Sequence, residues 1–154
     1  RRVYNYPFLN QDLEAAGAMF AQPDVVVGLG DAGAHVSQVI DASQATFLLS
    51  YWVRERGAFS FEDAVRRITS QTAGLFGLAD RGVLAPGAFA DINVLDPDAL
   101  DLPLPEFVND LPGGAGRLIQ RAQGYRATVV NGRVALEHGE HTGALPGVLL
   151  RSAP

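Results

Sequence analysis

Apolar positions recur with two different periods along this chain, and the change of period divides it. Leu13, Ala16 and Phe20 fall at i, i+3 and i+7, which predicts a helix with one buried stripe, capped by Asn10 and stopped at Pro23. Ahead of it, Tyr4, Tyr6 and Phe8 are spaced two apart, as in a short strand or an extended lead-in. Val25-Val26-Val27-Gly28-Leu29 is an unbroken apolar run of the kind that forms a parallel strand covered on both faces. It ends in the small-residue loop Gly30-Asp31-Ala32-Gly33-Ala34-His35. Residues 42–56 read as a long helix, with Ala45, Leu48, Leu49 and Trp52 on one face, Asp41 as its cap and Gly57 as its stop. Ser60-Phe61-Glu62-Asp63 matches a capping box, followed by the apolar stripe Phe61, Ala64, Val65 and Ile68. Ser70 is placed to cap one more short helix that ends at Gly77.

Beyond Gly77 the period shortens to two. Ala90, Ile92 and Val94 alternate with Asp91 and Asn93 after a Pro86-Gly87 turn, predicting a strand with one covered face. Residues 97–117 contain Pro97, Pro103, Pro105 and Pro112 and are expected to be irregular. Tyr125 to Val130 and Arg133 to Leu136 flank Asn131-Gly132, a strong hairpin signal because both central residues must accept positive φ. Residues 142–147 read as loop. The order helix, strand, loop, helix, helix is that of an α/β protein. The natural boundary lies near residues 78–83, giving an α/β part over 1–80 and a β-rich part over 81–154.

Composition narrows the chemistry. At 154 residues the chain is too short for a complete eight-stranded α/β barrel, which takes about 250. A hydrophobic content of 47% supports a sizeable core. The formal charge of -5 argues against a nucleic-acid surface, and no apolar stretch approaches the roughly 20 residues of a membrane span. There is no cysteine, so disulfides, thiolate zinc sites and a cysteine nucleophile are excluded. All 12 basic residues are arginine, which excludes a Schiff-base or P-loop lysine. The first residue is Arg1, with no signal-like segment after it, so the expectation is a trimmed start or a piece of something longer.

Asp31 is the foremost candidate for chemistry. A carboxylate directly after a parallel strand, between glycines that let other groups approach, suits a general base or a metal ligand; a turn aspartate or helix cap fits the same position. His35 is near enough to bind substrate or orient a partner, although satisfying a loop carbonyl is the simpler role. Asp41 can be a second pocket acid or merely a cap. His138 and His141 lack a third ligand in their own segment and read as a solvated hairpin end rather than a metal site. Arg54, Arg56, Arg66 and Arg67 are assigned to wet helix faces, and Asp91 and Asn93 to the exposed side of a strand.

Taken together, Val27-Gly28-Leu29-Gly30-Asp31-Ala32-Gly33-Ala34-His35 resembles the last barrel strand and loop of the amidohydrolase superfamily. Gly82 to Val94 is similar to that superfamily's re-entry into its small β domain. Thr128-Val129-Val130-Asn131-Gly132 and Thr142-Gly143-Ala144-Leu145-Pro146-Gly147 resemble the closing segments of the D-aminoacylase (N-acyl-D-amino-acid deacylase) branch. The resemblance implies the C-terminal strand and helices of a (β/α)8 barrel, then part of a small β-sandwich domain.

It also implies metal-dependent hydrolysis of the amide bond of an N-acyl-D-amino acid. In the family a divalent cation, usually zinc, is held by histidines of earlier strands plus a cysteine, carboxylated lysine or glutamate. An aspartate at the end of the last strand takes the proton from water and passes it to the leaving amine. Asp31 matches that aspartate; His35 is carried as a substrate-binding candidate. The chain has no His-x-His pair, cysteine or lysine, so the expectation is a piece that alone binds no catalytic metal and turns nothing over, Asp31 being its one residue that can touch the ion. Its partners are then a small N-acyl amino acid and either a second copy or the missing barrel portion, because an unpaired barrel strand has sticky edges; neither nucleic acid nor a membrane is expected. A cytoplasmic setting is expected, any export signal lying before Arg1. The rival readings are a cyclic amidohydrolase (hydantoinase-like or dihydroorotase-like), a deaminase of the same superfamily, and a non-catalytic β-rich assembly module.

Overall fold

The computed structural model describes residues 10–151; the aromatic lead-in at Tyr4, Tyr6 and Phe8 lies outside the described residues. Helix α1 spans Leu13–Phe20, and its cap is Asp12 rather than Asn10. The Asp12 carboxylate accepts the N–H groups of Glu14 and Ala15 at 3.0 Å, while Asn10 sits at φ 50°. The expected long helix begins as α2, Gln44–Phe47, and runs without a break into a π-helical stretch, Leu48–Glu55. The wider turn appears directly in Arg56 N–H donating to the Tyr51 carbonyl at 2.8 Å, five residues back. It also changes the buried face: Thr46, Leu48, Leu49, Ser50 and Trp52 are buried and Ala45 is exposed. Gly57, at φ 60°, follows as the stop.

Helix α3, Phe61–Ile68, starts as its capping pattern requires, with the Ser60 hydroxyl accepting from Asp63 N–H at 3.1 Å. The Asp63 carboxylate turns forward to Arg66 and Arg67, at 2.8 and 2.7 Å. Arg67 is therefore not on a wet face. It also donates to the Phe20 carbonyl and lies 4.7 Å over the Phe59 ring, tying the end of α1 to α3. Helix α4, Ser70–Leu75, follows after a kink at Thr69, which takes the cap position assigned to Ser70; no side chain caps it.

The second half is antiparallel β. Strands β1 (Ile92–Leu95), β4 (Tyr125–Val130), β5 (Arg133–Glu137) and β6 (Glu140–His141) form a sheet in the order β1-β4-β5-β6, and β2 (Glu106–Val108) pairs with β3 (Arg117–Ile119) in a second one. Asn131 and Gly132 take φ of 47° and 76°, which is what the two-residue turn between β4 and β5 demands. In β1 the register shifts between Val94 and Leu95, so Ile92 and Leu95 face inward and Val94 is 46% exposed, against the simple alternation. The β2–β3 hairpin corrects the expectation of an irregular 97–117. Its prolines lie just outside the paired residues, where a missing N–H costs no ladder bond.

One hydrophobic cluster joins the helices to the sheet. Ala16, Leu48, Leu49, Trp52, Ala64 and Leu100 are buried in it, with Leu95 and Tyr125 packed against it. The Trp52 ring stands edge-on to Phe20 and Tyr51, with centroids 5.6 and 5.4 Å away. Arg54 is exposed, as its assignment to a wet face expects, and it also donates to the carbonyls of Leu100 and Asp98 at 2.5 and 3.2 Å, fixing the chain leaving β1. No helix among the described residues is long and apolar enough to cross a membrane.

Candidate functional site

The site is built from the segment between α1 and α2. Val25, Val26 and Val27 are half-buried, and Val27 packs on the core cluster. The run is extended but has no ladder partner among the described residues, so it is not the paired strand expected from its composition. An extended backbone becomes a strand only when a neighbour takes its N–H and C=O groups. Leu29, which follows, is 95% exposed.

Asp31 begins the turn that comes next and is exposed. Its carbonyl accepts from Ala34 N–H at 3.0 Å, and Gly33 relieves the turn at φ 101°. His35 takes φ 48°, and its carbonyl accepts from Gln38 and Val39 N–H. Asp31 and His35 thus sit on one exposed turn, their side chains making no hydrogen bond to each other among the described residues. Two contacts fix this turn to the rest of the protein. Asp41 Oδ2 accepts from Asp31 N–H at 2.6 Å, and the Val36 carbonyl accepts from Leu118 N–H of β3 at 2.8 Å. Asp41 therefore does not cap α2: the residue before α2 is Ser43, and no side chain caps that helix.

Neither contact was legible in the sequence. The β2–β3 hairpin that anchors Val36 falls in the segment whose prolines argue for irregular chain. Asp41 carries no local signal for an acceptor aimed ten residues back. The one hint lies in Gly30, where a Cβ would come within 2.7 Å of the Asp41 carboxyl.

Two hollows lie away from Asp31. A cleft of about 680 Å³ lies between the sheet and the β2–β3 hairpin, lined by Thr46, Gln120, Arg121, Tyr125 and His138 among others. A second, of about 380 Å³, lies between α3–α4 and β1–β4, lined by Ile68, Thr72, Phe76, Ile92 and Val130 among others. Neither is lined by Asp31, His35 or Asp41. His138 and Gly139 form the β5–β6 turn at φ 49° and 83°, and His141 Nδ1 accepts from Gly143 N–H at 2.9 Å. That ring nitrogen is committed to closing a turn. Asp91 is tied to Arg81 and to Asn131 N–H, and Asn93 accepts from the Thr128 hydroxyl, so both serve the sheet.

No group of three or more His, Cys, Asp and Glu among the described residues is placed to hold a metal ion. A catalytic metal takes about three protein ligands, and the described residues do not bring that many together.

Known proteins place the chain. The sequence pattern of the amidohydrolase family matches residues 3–136. D-aminoacylase of Alcaligenes xylosoxydans xylosoxydans is 33% identical over 92% of this chain and 30% of its own length. N-acyl-D-aspartate deacylase of the same organism is 36% identical over 68% of this chain and 19% of its own. A crystal structure of D-aminoacylase superposes with a TM-score of 0.52 at 32% identity, over 65% of this chain and 19% of that one. A D-aminoacylase mutant in complex with copper chloride gives 0.53 at 32% identity, over 70% and 21%. The chain spans about three tenths or less of the length of these relatives.

Proposed function

The chain belongs to the amidohydrolase family, and we propose that it is the C-terminal part of a hydrolase that cleaves the amide bond of N-acyl-D-amino acids, with Asp31 as its general base. The observation that carries this reading is the match to D-aminoacylase along nearly the whole of this chain. In this reading residues 1–80 close a (β/α)8 barrel and residues 81–154 belong to its small β-sandwich domain. The unpaired Val25–Leu29 run is the last barrel strand awaiting neighbours, supplied by the remainder of the protein or by a second copy.

Asp31 would take a proton from the attacking water and return it to the departing amine, so that the amine leaves neutral. A carboxylate on a turn that is exposed in this chain, with no hydrogen bond of its own to a described residue, is free to accept that proton. His35, on the same turn, would contact the substrate in this reading. The catalytic metal, zinc in the family pattern, would be held by residues outside this chain, Asp31 adding at most one ligand.

The test uses the intact gene product that contains these residues. Release of free amino acid from N-acetyl-D-amino acids, with hydantoins not hydrolysed, is the expected result; the reverse preference would transfer the protein to the cyclic amidohydrolases. Asp31→Asn is expected to lower turnover by about two to four orders of magnitude. Unchanged turnover would remove Asp31 from the chemistry and favour an assembly role. Stoichiometric zinc and deacylase activity in the isolated 154-residue chain would overturn its reading as one part of an active site.

A further inference from the structure

Asp31 is attached to the fold by more than its own turn. Its backbone N–H donates to Asp41 Oδ2 at 2.6 Å, a short charge-assisted bond that closes the ten-residue excursion from Asp31 to Asp41. An independent feature points to the same contact. A Cβ on Gly30 would lie 2.6 Å from the Asp41 carbonyl oxygen and 2.7 Å from its carboxyl carbon and Oδ2. No real side chain tolerates such distances, so glycine before Asp31 is what lets the Asp41 carboxylate reach the Asp31 amide. Asp41 is also not spent elsewhere as a helix cap.

We infer that Asp41 is a positioning residue for Asp31: its carboxylate grips the Asp31 amide and, through the space left by Gly30, sets where the Asp31 carboxylate stands. The inference rests on the reading of Asp31 as general base. The grip acts on the backbone at the α-carbon that carries the reacting group, so losing it displaces the Asp31 carboxylate without touching substrate. A misplacement of about 1 Å at a reacting group can cost about 100-fold in rate. Asparagine at 41 keeps an acceptor oxygen at the same reach, whereas alanine keeps none.

The experiment compares Asp41→Ala, Asp41→Asn, Gly30→Ala and Asp31→Asn in the intact gene product, using the N-acetyl-D-amino acid it hydrolyses fastest. Asp41→Ala and Gly30→Ala are expected to lower kcat by about 10- to 100-fold with KM within about 2-fold, and Asp41→Asn to recover most of the loss. Hydrogen–deuterium exchange of the Asp31 amide is expected to quicken in Asp41→Ala and to stay slow in Asp41→Asn. Wild-type kcat in Asp41→Ala, with Asp31→Asn inactive, would overturn the positioning role and leave the base assignment standing. Full activity in Asp31→Asn would remove the base itself and the catalytic role of Asp41 with it. Unaltered exchange at the Asp31 amide in Asp41→Ala would overturn the grip whatever the activities are.

Discussion

The hydroxyl oxygens of Thr46 and Tyr125 lie 2.9 Å apart, joining the first turn of α2 to the start of β4 across 79 residues of sequence. Thr46 is only 6% exposed, so this bond also satisfies a hydroxyl that water reaches poorly. Tyr125→Phe leaves that hydroxyl without its tyrosine partner and is expected to lower stability by about 1 kcal/mol. Thr46→Val in the same background should cost less than it does alone, since the bond is already gone. Urea unfolding of the two single variants and the double variant measures the coupling.

Leu100 is 1% exposed and its carbonyl receives the Arg54 guanidinium at 2.5 Å. Leu100→Ala is expected to cost about 2–4 kcal/mol, through lost burial plus the cavity left behind. Arg54→Ala strips carbonyls of a charged donor and is expected to cost about 1–3 kcal/mol. The two effects should not add, because they act on one short stretch of chain. Thermal unfolding of the single and double variants checks both points.

Asp63 carries the pH dependence of α3. Hydrogen bonds from Arg67 and then Arg66 hold its carboxyl below the usual aspartate range. A carboxyl lowered in the folded state contributes stability that is complete above its unfolded value and disappears as pH falls through the folded one. Asp63→Asn should therefore destabilise at pH 7 by about 1 kcal/mol, and the gap from wild type should close only in strong acid. Urea titrations at pH 7, 4 and 2 give the comparison; a gap that persisted undiminished at pH 2 would show that the ion pairs are not its source.

The β4–β5 turn is a separate point of sensitivity. Gly132→Val places a branched side chain at φ 76° and is expected to cost about 1–2 kcal/mol. Asn131→Ala should cost at least as much. Beyond its φ of 47°, Asn131 accepts from Arg81 at 3.0 Å and donates to the Pro146 carbonyl at 2.7 Å, holding the chain after β6. Melting temperatures of the two variants rank them.

Features set by neighbours in sequence were readable in advance. Ser60 three residues before Asp63 gives the cap of α3, and Asn131-Gly132 gives the hairpin, because each depends on atoms within one turn of chain. The same local logic misplaced the first cap, since Asn10 and Asp12 are both suitable residues and only the path of the chain selects Asp12. It also missed the β2–β3 hairpin. Composition marks proline as a breaker but does not show that Pro103, Pro105 and Pro112 all fall outside the paired residues.

By itself the sequence set the caps and turns that adjacent residues decide and pointed to the family, and it put Asp31 forward as the residue to watch, because capping, turn chemistry and motif order are properties of adjacent residues. Tertiary structure decided what those residues touch. Arg54 and Arg67 donate to carbonyls of distant segments, and Val36 is pinned by Leu118 N–H of β3. Asp41 turned from its own helix to the Asp31 amide. Such contacts bring together groups ten to more than eighty residues apart, where spacing along the chain carries no information about distance in space. The Val25–Leu29 run marks the boundary between the two: its composition is that of a strand, but strandedness is conferred by a partner's hydrogen bonds.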